Sequence, residues 1–282
     1  MKNIRYNISA AESLWLLLFT VIIGFILVGL ASMLLPADTV VGLRIGSVVQ
    51  QVFAFIAPAI VCAMISTRRP DMMLRLRGKF SGAALLWTVV VMIVSIPAME
   101  ALIRLNNALP LPEGVDQFLR SLEDNAATVT ATMMGDHTVG NLIVNLLIMA
   151  VMTGFSEEIL FRGALCDALS RTRLGATGAI WVGAAIFSLM HMQIFGFFPR
   201  MLLGAFFGYL LLRSGSLWLG VIAHALNNGL YIITAYCGFS DAAVDSTPLA
   251  ITIIAVSTAL TAVAFLRLRR CLSSPDANCL KS

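Results

Sequence analysis

A chain of 282 residues that is 59% hydrophobic and only 12% charged is not composed like a soluble domain, in which about a quarter of the residues carry charge. Its charges are also segregated: Ser13 to Ala37, Ile45 to Thr67 and Phe80 to Met99 contain none, and each stretch is long enough as a helix to cross about 30 Å of hydrocarbon. The composition excludes a soluble protein, the net charge of +4 is no nucleic-acid footprint, and the chain reads as a single integral membrane domain over 1–282, an all-α polytopic bundle with the lipid bilayer as its first partner.

In chain order the apolar pattern predicts about eight transmembrane helices, near 13–35, 45–67, 80–99, 139–161, 176–195, 199–213, 216–237 and 248–266. The first run is too long for a signal-peptide core and lacks a small-residue cleavage site, so it is expected to be a retained span. Between the third and fourth spans, residues 100–138 are polar and acidic. Within them Val115, Phe118, Leu119 and Leu122 recur at helical spacing, which predicts a short amphipathic helix, a connector rather than a lid. Alternating the spans from an inside N-terminus puts 15 of the 19 Lys and Arg on one side and 4 on the other. By the positive-inside rule, both termini are expected in the cytoplasm of a multi-pass plasma-membrane protein. The five cysteines have no metal-ligand or redox spacing and read as small hydrophobes and tail residues. Asn141, Asn145, Gln50 and Gln51 are expected to join helices by hydrogen bonds.

The fourth span ends in Glu157, Glu158 and Arg162. A carboxylate at bilayer depth costs roughly 2.5–3.5 kcal/mol on insertion scales, so two adjacent ones call for a reason. Residues four apart share a helix face, so Glu158 and Arg162 are expected to form a supporting ion pair. Glu157 points elsewhere and has no such partner. The fifth span carries Phe187 one turn before His191, and the seventh carries His224 one turn before Asn228. Alone, each His reads as an interhelical hydrogen-bonder; together, a Glu, two His and an Asn on three spans suggest water activation. One scheme is metal-dependent, with Glu157, His191 and His224 as a His₂Glu zinc set. The other is metal-free: Glu157 takes a proton from a water held by His191, and His224 and Asn228 donate to the oxyanion. Both stay open on the sequence. Counting residues from the span ends places the site in the cytoplasmic half, provided that the hairpin of the fourth and fifth spans projects into the cytoplasm.

The motifs Glu157-Glu158…Arg162, Phe187…His191 and His224…Asn228 stand in that order on separate spans. Together with the flanking Phe161-Arg162-Gly163, Phe198-Pro199-Arg200 and Gly215-Ser-Leu-Trp218, they make the chain resemble the CAAX-processing and bacteriocin-immunity family of intramembrane endopeptidases, prokaryotic relatives of the type II CAAX prenyl endopeptidase. The resemblance covers about 139–232. It implies an eight-helix bundle with a conical cavity open to the cytoplasm and the inner leaflet. It implies Glu157 as general base, His191 as its water-holding partner and His224 and Asn228 as oxyanion stabilisers, with Glu158, Arg162 and Phe187 supporting the site. The expected activity is hydrolysis of a peptide bond near the membrane anchor of a peptide or protein substrate. A non-proteolytic immunity factor or peptide-binding scaffold is the alternative. A transporter with a carboxylate proton relay is a third reading, disfavoured because no internal repeat or broken span pair is visible.

Overall fold

A computed structural model describes residues 4–36, 39–238 and 248–273; Lys2, Lys281 and Cys279 lie outside the described residues. Helices account for 83% of these residues, and no strand occurs among them. The first helix, α1 (Ala10–Ser32), starts on a reciprocal cap: the Ser9 hydroxyl accepts from the Glu12 backbone N–H, and the Glu12 carboxylate accepts from that of Ser9. This satisfies two N-terminal donors that have no partner inside the helix. Next come α2 (Val40–Ser66), α3 (Gly82–Val94) and α4 (Ile96–Asn107). Pro97 opens α4, and a bend of 47° separates it from α3; proline has no N–H for the helical ladder, so the break falls there. The amphipathic α5 (Glu113–Met134) follows, then α6 (Val139–Ser170), α7 (Gly175–Leu189), α8 (Phe197–Ser214), α9 (Leu217–Tyr236) and α10 (Pro248–Ser273).

Six helices are long and apolar enough to cross a membrane, or seven with α3 and α4 taken as one bent span. The expected span that falls short is the fifth, α7, whose 15 residues reach only about 22 Å at 1.5 Å per residue. The fourth span differs most from expectation. It runs 32 residues to Ser170, where the charges at Arg162 and Asp167 suggest an end near 161. Those charges are buried inside the bundle: Arg162 is 2% exposed and Asp167 8%. Asp167 accepts from the Tyr6 hydroxyl at 2.7 Å and from Arg171 at 3.2 Å.

The chain alternates between two faces of the bundle. At one face the Asn7 N–H donates to the Ser66 carbonyl, Arg171 donates to the Ser13 hydroxyl, and the Leu217 N–H donates to the Arg75 carbonyl. The Ser216 hydroxyl and the Trp218 indole bind the carbonyls of Gly78 and Leu76. The C-terminal part of α10 joins this end, with Leu268 and Cys271 packed in one cluster with Ala83 and Ala84. At the opposite face Arg44 donates to Asn141 and Asn145, and Asn145 donates to the Met133 carbonyl. Asn106 donates to the Ile194 carbonyl, and the Tyr236 hydroxyl to that of Asp136. Of the described Lys and Arg other than Arg162, twelve fall at the first face and four (Arg44, Arg104, Arg120 and Arg200) at the second. The two are the basic face and the loop face below.

The expected interhelical bonding holds for three of the four amides. Asn141 and Asn145 tie α6 to α2, and Gln51 donates to the Ile148 carbonyl at 3.2 Å and the Thr153 hydroxyl at 2.9 Å. Large apolar side chains such as Trp15, Phe19 and Ile26 on α1 and Ile251 and Val263 on α10 remain exposed on the periphery, as a lipid-facing surface requires.

Candidate active site

The site is built on α6, where one ordinary helical stretch, Thr153–Glu158, lies between two wide π-helical turns, Leu146–Met152 and Ile159–Leu165. Such turns are rare in helices and concentrate at functional positions. Helix α9 packs directly on this stretch, because Gly154 leaves no side chain in the way: a Cβ there would stand 3.0 Å from the Ala225 backbone nitrogen.

Glu158 is fully buried. Its Oε1 accepts from Arg162 Nη1 at 2.7 Å, the pair that the spacing predicts, and also lies 3.0 Å from His224 Nδ1. Glu158 is therefore a junction between α6 and α9 as well as a counter-ion. Arg162 lies 4.4 Å over the Phe187 ring and 5.5 Å from that of Phe207, a favourable placement for a desolvated cation. Its second terminal nitrogen and Glu158 Oε2 have no hydrogen-bond partner. The space for that nitrogen is made by Gly204, whose Cβ would stand 2.9 Å from it.

His224 is held between the two carboxylates. Its Nδ1 faces Glu158, and its Nε2 is 3.6 Å from Glu157 Oε2. A carboxylate only accepts, so Nδ1 carries a hydrogen. Phe207 stacks on the imidazole at 5.1 Å with an interplanar angle of 24°. Glu157 is 8% exposed, and its nearest described ionic neighbour is His224 rather than a residue on its own helix.

His191 follows the end of α7 in a turn, next to Met192, which takes a left-handed backbone (φ 55°). Its Nδ1 lies 2.9 Å from the Phe187 carbonyl. The carbonyl accepts, so Nδ1 donates and Nε2 keeps its lone pair. The Phe187 ring meets the imidazole edge-to-face at 5.0 Å, the packing expected one turn away. Asn228 is engaged by its own helices: its amide donates to the Met149 carbonyl at 3.2 Å and accepts from Asn227 at 3.3 Å.

Glu157, Phe187, His191, His224 and Asn228 all line one cavity of about 510 Å³, while Glu158 and Arg162 lie behind it. The cavity also takes in residues that the sequence reading does not assign to the site. Arg200, bonded to the carbonyl and side chain of Gln193, is one; Asn227 and Phe207 are others. A fourth, Glu123, belongs to α5, which is longer than the short helix expected. Glu123 accepts from the Phe195 N–H at 3.1 Å, and Arg120 lies 4.4 Å over the Phe195 ring. Glu123, Ala126, Ala127 and Thr130 face the cavity, so α5 is a wall of it and not a mere connector. A charge at the start of an apolar helix, as at Arg200, is a signal legible in sequence; nothing in a run of aromatics marks Phe207.

Beyond the helix-borne side chains Thr153, Leu203 and Tyr231, the other walls are Ile103, Asn107, Gln193, Phe195, Gly196 and Pro199, at the loop face. The cavity therefore opens on the face with four Lys and Arg, not on the one with twelve. Two expectations conflict here. The positive-inside count makes the basic face cytoplasmic, whereas span counting and the family resemblance put the site toward the cytoplasm.

Zinc fits poorly. Among the described residues no three His, Cys, Asp or Glu side chains come together as a metal-binding group. The Nδ1 atoms of His224 and His191 bond Glu158 and a carbonyl, which leaves both Nε2 atoms free and is compatible with metal ligation; the poor fit lies in the lack of convergence of Glu157, His191 and His224 on one metal-binding group.

Residues 139–230 match the family model described as type II CAAX prenyl endopeptidase Rce1-like. The matched segment is about a third of the chain, runs from the start of α6 into α9, and includes each of the site residues proposed from sequence. No curated protein and no solved structure matches the chain.

Proposed function

We propose that this multi-pass membrane protein, whose residues 139–230 are a segment of the Rce1-like endopeptidase family, is an intramembrane endopeptidase of the plasma membrane that hydrolyses a peptide bond near the membrane anchor of its substrate. The observation that carries the reading is the placement of His224 between Glu157 and Glu158, at the wall of a cavity shared with His191 and Asn228.

In the proposed mechanism a water molecule in the cavity is held by the free Nε2 of His191 and gives its proton to Glu157. The hydroxide oxygen bonds to the scissile carbonyl carbon. His224, kept in orientation by Glu158 through Nδ1, presents Nε2–H to the oxyanion when the ring is protonated between its two carboxylates. Glu157 then returns the proton to the amide nitrogen as the C–N bond breaks, leaving a carboxylate and an amine. An oxyanion donor of this kind contributes about 10²–10³-fold, and a positioned general base about 10²–10⁴-fold. Asn228 is placed to contribute through its second amide hydrogen, the first being held by Met149. Glu158, Arg162, Phe187 and Phe207 hold this set in place. No step runs through a metal ion.

The test is cleavage of membrane-anchored peptides by the purified protein in nanodiscs, wild type beside Glu157→Gln. Products that appear at equal rates from both proteins refute the role of Glu157. The same variant, used as bait in membranes, is expected to retain uncleaved substrate.

A further inference from the structure

The basic and loop faces differ in charge, and the cavity belongs to only one of them. Toward the basic face the site is closed. Ile159, Leu160, Phe161, Arg162 and Ala164 are all at most 3% exposed, and the Glu158–Arg162 pair fills the space behind His224. Toward the loop face the walls are the α4 end, one side of α5 and the turn from Gln193 to Arg200. Lysine and arginine near span ends stay in the cytoplasm during insertion. Twelve against four among the described residues is a large bias.

We infer that the cavity opens to the extracytoplasmic side, so that the enzyme acts on peptide bonds at the outer surface of the membrane. Its substrate class is then a membrane-anchored peptide or protein with its cleavable segment outside the cell, reaching Glu157 past α5. What enters the cavity rests on the proteolytic reading; the face on which it opens does not.

Sidedness is read by labelling intact cells with a membrane-impermeant maleimide and mapping the modified cysteines by mass spectrometry. Ala127→Cys and, separately, Ala126→Cys place a thiol in the cavity wall, and neither is part of the catalytic set. Ser214→Cys places one at the basic face. The natural Cys237, exposed at the end of α9, reports on the loop face without substitution. The expected result is that Cys237 and a cysteine at 126 or 127 are modified as fully in intact as in permeabilised cells, whereas one at 214 reacts only after permeabilisation. The reverse pattern overturns the inference. So does modification of Cys237 in intact cells while 126 and 127 stay unreactive there and react once the basic face is exposed. Neither result depends on proteolysis, so a protein that cleaves nothing but labels from outside would sink the enzymatic reading alone.

Discussion

Two cavities approach α6 from opposite faces, and they meet it a few residues apart. The one from the loop face, about 510 Å³, reaches Glu157, His191 and His224. The one from the basic face, about 320 Å³, reaches Arg162, Cys166 and Asp167 and is bordered by Arg75 and Arg213. The first brings together groups that can exchange a proton; the second is lined by arginines and one carboxylate, Asp167, which is paired with Arg171. Between them stands the Glu158–Arg162 pair, with both side chains at most 2% exposed. The difference teaches that position along a helix does not decide the role of a buried carboxylate. Glu157 and Glu158 are sequence neighbours, yet one faces space for a substrate and the other faces only protein.

The comparison breaks most visibly at those two residues. Glu157→Gln keeps shape and removes the base, so cleavage is expected to fall by about 10²–10⁴-fold, with the thermal unfolding midpoint in detergent unchanged. Glu158→Gln is expected to do the opposite first. It leaves Arg162 buried without its counter-ion and gives His224 a neutral amide oxygen in place of a carboxylate, and removing one member of a buried pair costs about 3–5 kcal/mol. A large drop in the unfolding midpoint, with lost cleavage following from it, checks this. If Glu158→Gln unfolds like the wild type and loses only activity, the division of labour between the two carboxylates is wrong.

Much of that division is legible in sequence, and its failures have physical causes. The ion pair of Glu158 with Arg162 follows from helical spacing, and the packing of Phe187 on His191 follows from the same rule. The bridge through His224 does not, because spacing reports which residues share a face of one helix and says nothing about distances to another. The membrane spans follow from apolar runs, but α6 outlasts its run: Arg162 and Asp167 resemble solvent-facing residues, although each is neutralised by partners from within the bundle. Helix α5 is recognisable only in its first half. Beyond Leu122 its sequence turns to Ala and Thr, which carry too little hydrophobic contrast to show which face meets the cavity.

Gly204 gives a smaller effect and a sharper test of the wall between the cavities. A methyl group there would stand 2.9 Å from the unpartnered Arg162 nitrogen and 3.1 Å from the Phe187 ring. Overpacking of this kind costs about 1–3 kcal/mol. Gly204→Ala is therefore expected to lower the unfolding midpoint moderately and to reduce cleavage by displacing Phe187, against which His191 and His224 both rest at 5.0 and 5.8 Å. Unchanged activity with lowered stability would mean that Phe187 supports the fold and not the site.

The smallest expected effect is that of a chelator. A His₂Glu zinc site needs three ligands turned to a common point. Among the described residues no three such side chains form a metal-binding group, and His224 Nε2 faces Glu157 across 3.6 Å. Metal analysis of the pure protein is expected to find no stoichiometric zinc, and dialysis against a chelator is expected to leave the cleavage rate where it was. Loss of activity on chelation, restored by zinc, would require Glu157, His191 and His224 to converge on one point. The bonds from the two Nδ1 atoms could remain, because a metal-bound histidine ordinarily donates its other ring nitrogen to a carboxylate or a carbonyl; it is Glu157 that would have to turn from proton acceptor to ligand. Zinc binding and general-base catalysis are in this sense competing uses of one carboxylate, and the chelation experiment measures which of them the protein has adopted.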